Sequence, residues 1–336
     1  MTTRPLRFGL IGTGRIGQVH ARSIAADPDT TLSWVCDPFI AGAEAVSERF
    51  GGAVTDDASE VFASGDVDAV LIASPTATHV DLIAAAIEAG IPALCEKPID
   101  LDISRVDSLL PLVRSSGVPV ALGFNRRFDP AFASVQSRVA AGEIGALEQL
   151  TIVSRDPAAP PAAYVAVSGG IFRDMTIHDL DMARFFLPEI VEVTAVGSAL
   201  FDDGAREHGD FDSAVTTLRA SSGATVTIIN SRHSAVGYDQ RLEAFGAEGS
   251  LQVANAPTSL VSLSTATVVE GKPPYQNFFL ERYAEAYAAE LRAFVRLVRG
   301  ESSTSPTFED GRAALILADA AQRSAEERVS VAVDLG

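Results

Sequence analysis

Two short segments of the sequence carry residue types that can move protons. The first is Gly169-Gly-Ile-Phe-Arg-Asp174-Met-Thr-Ile-His178-Asp179-Leu-Asp181, in which helical spacing would place Asp174, His178 and Asp181 on one face. A carboxylate one turn from a histidine can orient the imidazole and stabilise its charged form. The second is Glu96-Lys97-Pro98, where proline restricts the backbone beside the lysine. Together these groups are suited to general acid–base chemistry.

Each segment also has an interpretation without chemistry. The segment around Asp174 could be a solvated helix face, and Lys97 could be an exposed lysine at a strand end. A metal site is a further alternative, but the remaining histidines form no ligand spacing with His178: His20, His79, His208 and His233. The sequence therefore predicts no bound metal.

The elements that would position Lys97 lie in the first 123 residues, where short β-rich runs alternate with helical patterns. The runs are LRFGLIG, LSWVCD, DAVLIAS, IPALCE and VPVALGF, with a short extra strand near Ala53. Helical patterns begin near Ile16, Ala41, His79 and Ser104. This alternation predicts a six-stranded parallel sheet. Lys97 follows the run IPALCE, which is the fifth strand when the short one near Ala53 is counted. Ligands of open α/β sheets bind at the carboxyl ends of strands.

The loop after the first strand contains Gly12, Gly14 and Gly17 in the spacing GxGxxG and opens a helix. Such glycines permit a tight turn and let the backbone approach a pyrophosphate, which then faces the helix N-terminus. A purely structural glycine turn is the alternative. Because strand, helix and spacing agree, the pattern predicts a Rossmann dinucleotide-binding domain over residues 1–123.

Asp37 ends the second strand, 20 residues after Gly17, where an acid accepts hydrogen bonds from ribose hydroxyls. A 2′-phosphate would be repelled there, and Pro38-Phe39 supplies no arginine, so the sequence favours NAD over NADP. The alternative is that Asp37 only caps the next turn. The predicted cofactor contacts are Gly12, Thr13, Gly14, Arg15, Ile16, Asp37, Ser74, Pro75, Thr76, His79, Glu96 and Lys97.

The second part of the chain, residues 124–336, is rich in strand-like segments. After a helix near 131–140 these are LEQLTIVS, EVTAVGSAL, AVTTLRA, ATVTIINS, RLEAFG, SLQVA and SLVSLST. Few helices separate them, which predicts a C-terminal α/β domain with a large, mostly antiparallel open sheet. Two amphipathic helices, at 281–299 and 309–326, and a short strand, VSVAVDL, close the chain.

Composition narrows the class of protein. The net charge of −18 offers no basic surface to a nucleic acid. The N-terminal residues do not match a secretory signal, and no run reaches the roughly 18 apolar residues of a membrane helix. Cys36 and Cys95 lie in apolar runs, as expected of buried thiols in a reducing compartment. We therefore expect a cytoplasmic protein with neither nucleic acid nor membrane as partner.

Taken together, the motifs resemble those of the glucose-fructose oxidoreductase, inositol dehydrogenase and rhizopine-catabolism family (Gfo/Idh/MocA), in which a glycine loop, EKP and GG-x3-D-x3-H occur in this order. The strings GFNRRFDPAF, SRDPAAPP, SGGIFRDMTIHDLDMARFF, GYDQRLE and NFFLERYAEAY resemble the bacterial inositol 2-dehydrogenase branch. This resemblance spans nearly the whole chain. It implies that the open C-terminal sheet packs against another subunit, giving a dimer or a homotetramer.

The resemblance also implies residue roles. Lys97, Asp174 and His178 match the family's catalytic residues, and the implied substrate contacts are Lys97, Arg126, Asp156, Asp174, His178 and Tyr238. Two positions depart from the branch: Asn125 stands where many relatives carry Met, and Val236 where relatives often carry Tyr. These departures bear on the identity of the polyol rather than on the chemistry.

The expected activity is NAD-dependent oxidation of myo-inositol to 2-keto-myo-inositol in inositol catabolism. A histidine ordinarily has a pKa near 6.5 and a lysine one of about 10.4. We therefore expect His178 to accept the proton, Asp174 to orient it and Lys97 to stabilise the alkoxide, although a buried Lys97 could itself be the base. The alternatives are an NAD(P)-dependent dehydrogenase of another inositol isomer or an aldose, and a non-catalytic nucleotide-binding regulator.

Overall fold

The computed structural model describes residues 4–336, which fold into two compact units. The first comprises the chain up to Phe128 together with Glu285–Ala313, and the second comprises Asp129–Ala284 and Ala314–Gly336. The predicted division into 1–123 and 124–336 thus differs from the compact units, because a stretch near the C-terminus belongs to the first one.

The first unit is built on a six-stranded sheet with the strand order β3-β2-β1-β4-β5-β6. All five strand pairs are parallel. Its strands are β1 (Leu6–Ile11), β2 (Thr30–Cys36), β3 (Ala53–Thr55), β4 (Ala69–Ile72), β5 (Ala93–Cys95) and β6 (Val120–Leu122). Its N-terminal helices are α1 (Arg15–Ala26), α2 (Ile40–Phe50), α3 (Ala58–Ala63), α4 (His79–Glu88) and α5 (Ile103–Ser116). The predicted Rossmann-type sheet is confirmed.

The sequence explains this layering. Four consecutive residues of β1 are buried, as expected of a parallel strand with a helical layer on each face. Helix α1 buries Gly17, His20, Ala21 and Ile24, a stripe at the helical period. Asp57 and Asp102 accept the backbone N–H groups of Ser59 and Ser104 and so cap α3 and α5.

The second unit contains a seven-stranded sheet with the order β12-β11-β7-β10-β9-β8-β13. Five of its strand pairs are antiparallel, and β7 and β10 are parallel. The strands are β7 (Leu147–Arg155), β8 (Ile190–Ser198), β9 (Ser213–Ala220), β10 (Thr225–Ser231), β11 (Asp239–Gly246), β12 (Gly249–Val253) and β13 (Val331–Ala332). The predicted mostly antiparallel sheet is confirmed.

The remaining helices accompany the second sheet or close the chain. They are α6 (Pro130–Ala140), α7 (Ala162–Ser168), α8 (Ile177–Phe186), α9 (Asp203–Glu207), α10 (Phe279–Arg282), α11 (Ala284–Val298) and α12 (Phe308–Glu327). The predicted helix at 281–299 is therefore two helices, α10 and α11. Residues 4–336 include no helix that is long and apolar enough to cross a membrane.

Helix α11 explains why the unit boundary departs from the sequence-based division. Its side chains Leu291, Phe294 and Val295 pack with Phe8 and Leu10 in the apolar core of the first unit. The amphipathic pattern of this segment predicts one buried face. It does not say which sheet the face will cover, because that partner lies almost 300 residues away along the chain.

One predicted strand of the second unit is wrong. The stretch SLVSLST at 259–265 forms no sheet strand, and only an isolated bridge joins Leu263 to Gly271. Leu260 is 93% exposed and Val261 is 75% exposed. Alternating apolar residues favour a strand only where a neighbouring strand and a covering layer are available, and this segment has neither.

Both cysteines are free and buried in the first unit. Burial, followed by the neighbouring Asp37 carboxylate, raises the pKa of Cys36 to about 11. Burial raises the pKa of Cys95 well above its ordinary value. Both side chains therefore remain protonated thiols at neutral pH, which makes them poor nucleophiles and poor metal ligands.

Helix α11 also carries an acid into the apolar core of the first unit. Glu290 is 1% exposed, and neither of its carboxyl oxygens has a hydrogen-bond partner among residues 4–336. Burial, followed by the nearby Glu96 carboxylate, raises the pKa of Glu290 well above its ordinary value of 4.5. The fold accommodates the protonated form of Glu290, so the stability linked to this group is fully present below its unfolded-state pKa. It is lost as the pH rises toward the folded-state pKa.

The substitution Glu290→Gln tests this assignment, because glutamine keeps the shape of the side chain and cannot ionise. Whatever constant difference the amide introduces, the variant should gain stability relative to the parent as the pH rises from 5 to 8. The gain should be up to about 1.4 kcal/mol per pH unit in the free energy of unfolding. Urea unfolding at several pH values measures it. Glu285→Gln, at an exposed position of the same helix, is the control and should show no such trend. A pH-independent difference for Glu290→Gln would contradict the assignment.

Candidate active site

The glycine loop lies where the strand order of the first sheet reverses, between β1 and β4. Gly12 has φ +99°, and a Cβ there would lie 2.5 Å from the backbone of Ala73. A Cβ on Gly17 would lie 2.1 Å from the Gly12 carbonyl oxygen, whereas a Cβ on Gly14 would meet no atom within 4 Å. Gly12 and Gly17 therefore allow the loop to pack closely, and Gly14 leaves open space at the start of α1.

Asp37 ties the end of β2 to the glycine loop. Its Oδ2 accepts hydrogen bonds from the backbone N–H and the hydroxyl of Thr13, both at 2.7 Å. Its Oδ1 accepts the Phe39 N–H at 2.9 Å, so Asp37 also closes the following turn. The carboxylate is half-buried, and Oδ1, which accepts a single hydrogen bond, retains acceptor capacity for a further donor.

The loop after β4 contains the predicted contacts Ser74, Pro75 and Thr76, and it faces the glycine loop across the switch point. His79 follows them at the start of α4 and is 1% exposed. Its Nε2 lies 2.9 Å from the Ser74 carbonyl oxygen, and its Nδ1 lies 2.8 Å from that of Pro98. In this position His79 braces the β4 loop against the turn that holds Lys97, which is an indirect role in forming the site.

Lys97 follows β5, next to β4, and its side chain is half-buried. The preceding Glu96 turns inward: its Oε1 lies 2.8 Å from His20 Nε2, and its Oε2 accepts the Lys97 N–H at 3.2 Å. A Cβ on Gly123 would lie 3.0 Å from the Glu96 carboxyl carbon, so glycine at that position makes room for this contact. The Glu96 carboxylate thus holds the backbone N–H of Lys97 in place.

Asn125 and Arg126 lie in a short 3-10 turn, Asn125–Phe128, after β6, and both are at least 95% buried. The Asn125 side-chain nitrogen has no hydrogen-bond partner among residues 4–336. A buried amide donor without a partner is costly and is commonly satisfied by a bound group. Asn125 therefore offers a donor at a position that the sequence analysis associates with substrate choice.

In the second unit, three strand ends meet at one edge of the sheet. Asp156 follows β7, Arg232 follows β10 and Tyr238 precedes β11. The parallel β7–β10 pair and the antiparallel β7–β11 pair bring these ends together, because Arg155 pairs with both Ser231 and Asp239. Tyr238 is buried and its ring packs edge-on against Phe278 and Tyr283.

Asp174 and His178 lie on one continuous helical stretch above this edge. Gly169 ends α7 with a left-handed conformation, and a π-helical turn, Phe172–Thr176, carries Asp174 before α8 begins. His178 is the second residue of α8 and is half-buried. Turns of this kind often occur at functional sites. The helical spacing expected from the sequence is therefore present, although its first turn is wider than an α-helix.

A buried polar network holds this stretch to the sheet. Asp179 is fully buried and accepts hydrogen bonds from Ser154 Oγ at 2.6 Å and from Asn230 Nδ2 at 2.8 Å. The Thr176 hydroxyl donates to Asn230 Oδ1 at 2.8 Å. The helical spacing predicts that Asp181 shares an open polar face with Asp174. That prediction is wrong for Asp181, because its side chain is only 1% exposed.

The Asp174 carboxylate has neighbours on both of its oxygens. Tyr164 is 47% exposed, yet its hydroxyl donates a 2.8 Å hydrogen bond to Asp174 Oδ1. Burial of that hydroxyl, followed by the Asp174 charge, raises the pKa of Tyr164 well above its ordinary value, so it stays a donor at neutral pH. Arg232 Nη1 lies 3.7 Å from Asp174 Oδ2, and Arg232 is 1% exposed.

Two sequence profiles match the chain. That of the oxidoreductase family with an NAD-binding Rossmann fold covers residues 6–124, and that of the GFO/IDH/MocA C-terminal domain covers residues 132–252. The chain belongs to the Gfo/Idh/MocA oxidoreductase family. The resemblance inferred from the motifs is thereby confirmed, and so is its two-part fold.

Individual relatives match this Gfo/Idh/MocA chain along its length. The inositol 2-dehydrogenase of Rhizobium meliloti is 46% identical over 330 residues, covering 98% of this chain and 99% of that protein. The crystal structure of a myo-inositol dehydrogenase from Corynebacterium glutamicum is 53% identical with a TM-score of 0.95, covering 98% and 99%. That of Lactobacillus casei scyllo-inositol dehydrogenase with bound NAD(H) and scyllo-inositol is 30% identical with a TM-score of 0.90, covering 98% and 99%.

NAD is the cofactor of this oxidoreductase family member, as predicted. The geometry of the glycine loop suits it. The N-cap of α1 is Gly14, which has no capping side chain, and the first N–H groups of a helix lack partners within the helix. Together with the open space beside Gly14, they form a cradle for a pyrophosphate at the positive end of the helix dipole.

Sequence reasoning did not single out several residues that lie next to predicted site residues or support them within one unit: His20, Tyr164, Gly170, Asp210 and Arg232. Tyr164 follows a proline-rich stretch, and only its aromatic hydroxyl near the GG motif could have drawn attention to it. Arg232 lies 58 residues after Asp174, and Asp210 lies 36 residues after it. No local spacing rule connects residues so far apart, because sheet pairing brings them together.

Proposed function

We propose that this chain is an NAD-dependent inositol 2-dehydrogenase that oxidises myo-inositol to 2-keto-myo-inositol. The observation that carries the proposal is its full-length similarity to the inositol dehydrogenases of Rhizobium meliloti and Corynebacterium glutamicum. In addition, the sequence contains Lys97, Asp174 and His178, to which the family resemblance assigns catalytic roles. A nucleotide-binding regulator without turnover would have no use for these three groups.

The proposed mechanism assigns one task to each side chain. Bound NAD would supply the acceptor for the hydride that leaves the carbon carrying the reacting hydroxyl. His178 takes the hydroxyl proton, because an imidazole exchanges protons readily near neutral pH. Lys97 keeps its proton and stabilises the negative charge that develops on the oxygen. Asp174 orients His178 and accepts a hydrogen bond from a ring hydroxyl. Lys97 as the base is the remaining alternative.

The proposed substrate contacts supply both donors and acceptors. Arg126 donates, Asp156 and Asp174 accept, and the Tyr238 hydroxyl can do either. Each hydroxyl of a cyclitol likewise donates one hydrogen bond and accepts others. A substrate that lacks one hydroxyl leaves a buried polar group of the site without its partner, so such a site strongly rejects deoxy analogues.

Kinetics of two variants test the proposed roles. We expect Lys97→Ala and His178→Ala each to lower kcat for myo-inositol oxidation by about 100-fold or more, since each removes proton transfer or charge stabilisation. NADH formation followed by its absorbance measures kcat, and fluorescence titration with NADH checks that the cofactor still binds. Near-normal turnover in either variant would refute its assigned role.

The same assay, run on the parent with a panel of polyols, tests the substrate. Myo-inositol should give the highest kcat/KM, with scyllo-inositol as the second candidate because of the similarity to the Lactobacillus casei enzyme. Chiro-inositol and glucose complete the panel, and each substrate is run with NAD and with NADP. A higher kcat/KM for another member would replace myo-inositol but keep the reaction class.

We propose that Asp37 also binds the adenosine ribose and so selects NAD. Its carboxylate lies beside the glycine loop, where its charge would repel a 2′-phosphate. Asp37→Ser should therefore reduce the NAD to NADP ratio of kcat/KM by about tenfold or more. Asp37→Asn separates the effect of the charge from that of the side-chain shape. Asparagine has no charge, but it keeps the shape and an acceptor for the Phe39 N–H. An unchanged ratio in both variants would contradict this role.

We propose that the open face of the seven-stranded sheet binds a second copy of this chain. Residues of one face of β8, β9 and β10 form an apolar row, Val196, Val215 and Ile229, in which Val196 pairs with Val215 and Val215 with Ile229. Val196 is 66% exposed and Val215 is 46% exposed. A flat sheet face with such a row is typical of a subunit interface, and a two-fold contact would place the row against itself.

Introducing a charge into the apolar row tests this interface. We expect Val215→Glu to convert the dimer or tetramer into monomers at micromolar concentration, because a carboxylate cannot be buried there without a partner. Light scattering after gel filtration measures the mass. Val261→Glu is the control, since this valine is 75% exposed outside the sheet. If only the control disrupts the assembly, the 256–275 segment rather than the sheet forms the interface.

We propose a cytoplasmic location for the enzyme. Two buried free thiols suit a reducing compartment. Fractionation of the producing cells, with NADH formation as the marker, tests this location.

A further inference from the structure

Two side chains next to Asp174, those of Tyr164 and Arg232, have no assigned role in the proposed reaction. Arg232 is a fully buried cation whose two terminal nitrogens reach different carboxylates. Nη2 lies 3.3 Å from Asp210 Oδ2, and Nη1 lies 3.7 Å from Asp174 Oδ2. Its Nε is buried and has no hydrogen-bond partner among residues 4–336. The guanidinium therefore spans two acids rather than pairing with one.

Asp210 fixes the other end of this arrangement. Its Oδ1 accepts the Ile171 N–H at 2.9 Å, immediately before the π-helical turn that carries Asp174. Gly170 has φ +84°, and a Cβ there would lie 2.8 Å from Asp210 Oδ1. The second glycine of the GG motif is thus required for Asp210 to approach. One carboxylate anchors both the start of the turn and the arginine that reaches Asp174.

We propose that Arg232, held by Asp210, is a positioning residue that fixes the Asp174 carboxylate in one orientation, with Tyr164 fixing its other oxygen. This inference rests on the proposed function, in which Asp174 acts on the substrate and on His178. A carboxylate rotates freely about its last torsion unless both oxygens are held. Tyr164 holds Oδ1, and Arg232 faces Oδ2.

A simpler role for Arg232 would be to neutralise Asp210 in the core. The geometry favours the bridging role, because a planar guanidinium moves as a rigid fork. Because Nη1 and Nη2 keep a fixed separation, the contact of Nη2 with Asp210 restricts the positions that Nη1 can take beside Asp174. A lysine has one charged nitrogen and could not reach two carboxylates in this manner. The two roles make different predictions for combined variants.

A double-mutant cycle between Asp174 and Arg232 tests the proposal. We expect Arg232→Gln to lower kcat by about 10- to 100-fold with little change in NADH binding, since a misoriented catalytic group costs about this much. If Arg232 acts through Asp174, Asp174→Asn with Arg232→Gln should be no slower than Asp174→Asn alone. Losses that multiply would overturn the proposal. Arg232→Lys should retain more turnover than Arg232→Gln but less than the parent.

Urea unfolding of the same four proteins gives a readout that needs no substrate. Without Arg232 the two carboxylates lose the cation that lies between them, so neutralising Asp174 should recover part of the lost stability. The midpoint shift of the double variant should therefore be smaller than the sum of the two single shifts. Additive shifts would mean that Arg232 serves Asp210 alone. Arg173→Gln is the matched control, because this arginine lies on the same turn but pairs with Asp319 at 2.7 Å.

Tyr164→Phe supplies the second arm and carries the test should Arg232→Gln fail to fold. Phenylalanine keeps the ring of Tyr164, so this substitution removes only the hydroxyl that contacts Asp174. We expect Tyr164→Phe to lower kcat in the parent but not in the Asp174→Asn variant. An equal decrease in both would overturn the proposal that Tyr164 acts through Asp174. If the parent oxidises no polyol in the panel, the proposed function fails. The urea-unfolding cycle then tests the positioning of Asp174 by Arg232 separately.

Discussion

Parallel strand pairing brings together, within each unit, several of the side chains of the candidate site. In a parallel pair the carboxyl ends lie at the same edge, so the loops that follow the strands meet there. In the first unit this edge holds the glycine loop, Ser74 and Lys97, after β1, β4 and β5, which are neighbours in the sheet. In the second unit, β7 and β10 form the parallel pair among the described strands. Asp156 and Arg232 follow those two strands.

The predicted catalytic residues lie on segments that are held by buried polar groups from distant elements, in addition to their own helix or strand. Glu96 holds the Lys97 backbone and is itself met by His20 from α1. Asp179 is satisfied by Ser154 and Asn230, from β7 and β10. A buried charge is costly unless it has such partners, and removal of one partner leaves the cost uncompensated. The positions of these side chains are therefore coupled to the correct pairing of both sheets.

The sequence predicts those features that depend on neighbours along the chain. The glycine spacing, the strand before it and the Asp174 to His178 spacing all appear within 20 residues. The sequence does not predict contacts such as that of Arg232 with Asp174, because β10 must first pair with β7. It also misjudges the segment at 259–265, where alternation is present and a pairing partner is absent. Helix α11 is recognised as a helix, but its burial in the first unit depends on side chains almost 300 residues away.

A fixed carboxylate has a particular value for a cyclitol substrate. Inositol isomers differ only in whether a given hydroxyl is axial or equatorial, so they carry the same number of donors and acceptors. A side chain that rotates freely can follow a hydroxyl from one position to the other and discriminates little. An acceptor held on both oxygens cannot follow it, and the mismatched isomer leaves a buried group unpaired. Under the proposed role of Asp174, its contacts with Tyr164 and Arg232 bear on which isomer is oxidised as well as on the rate.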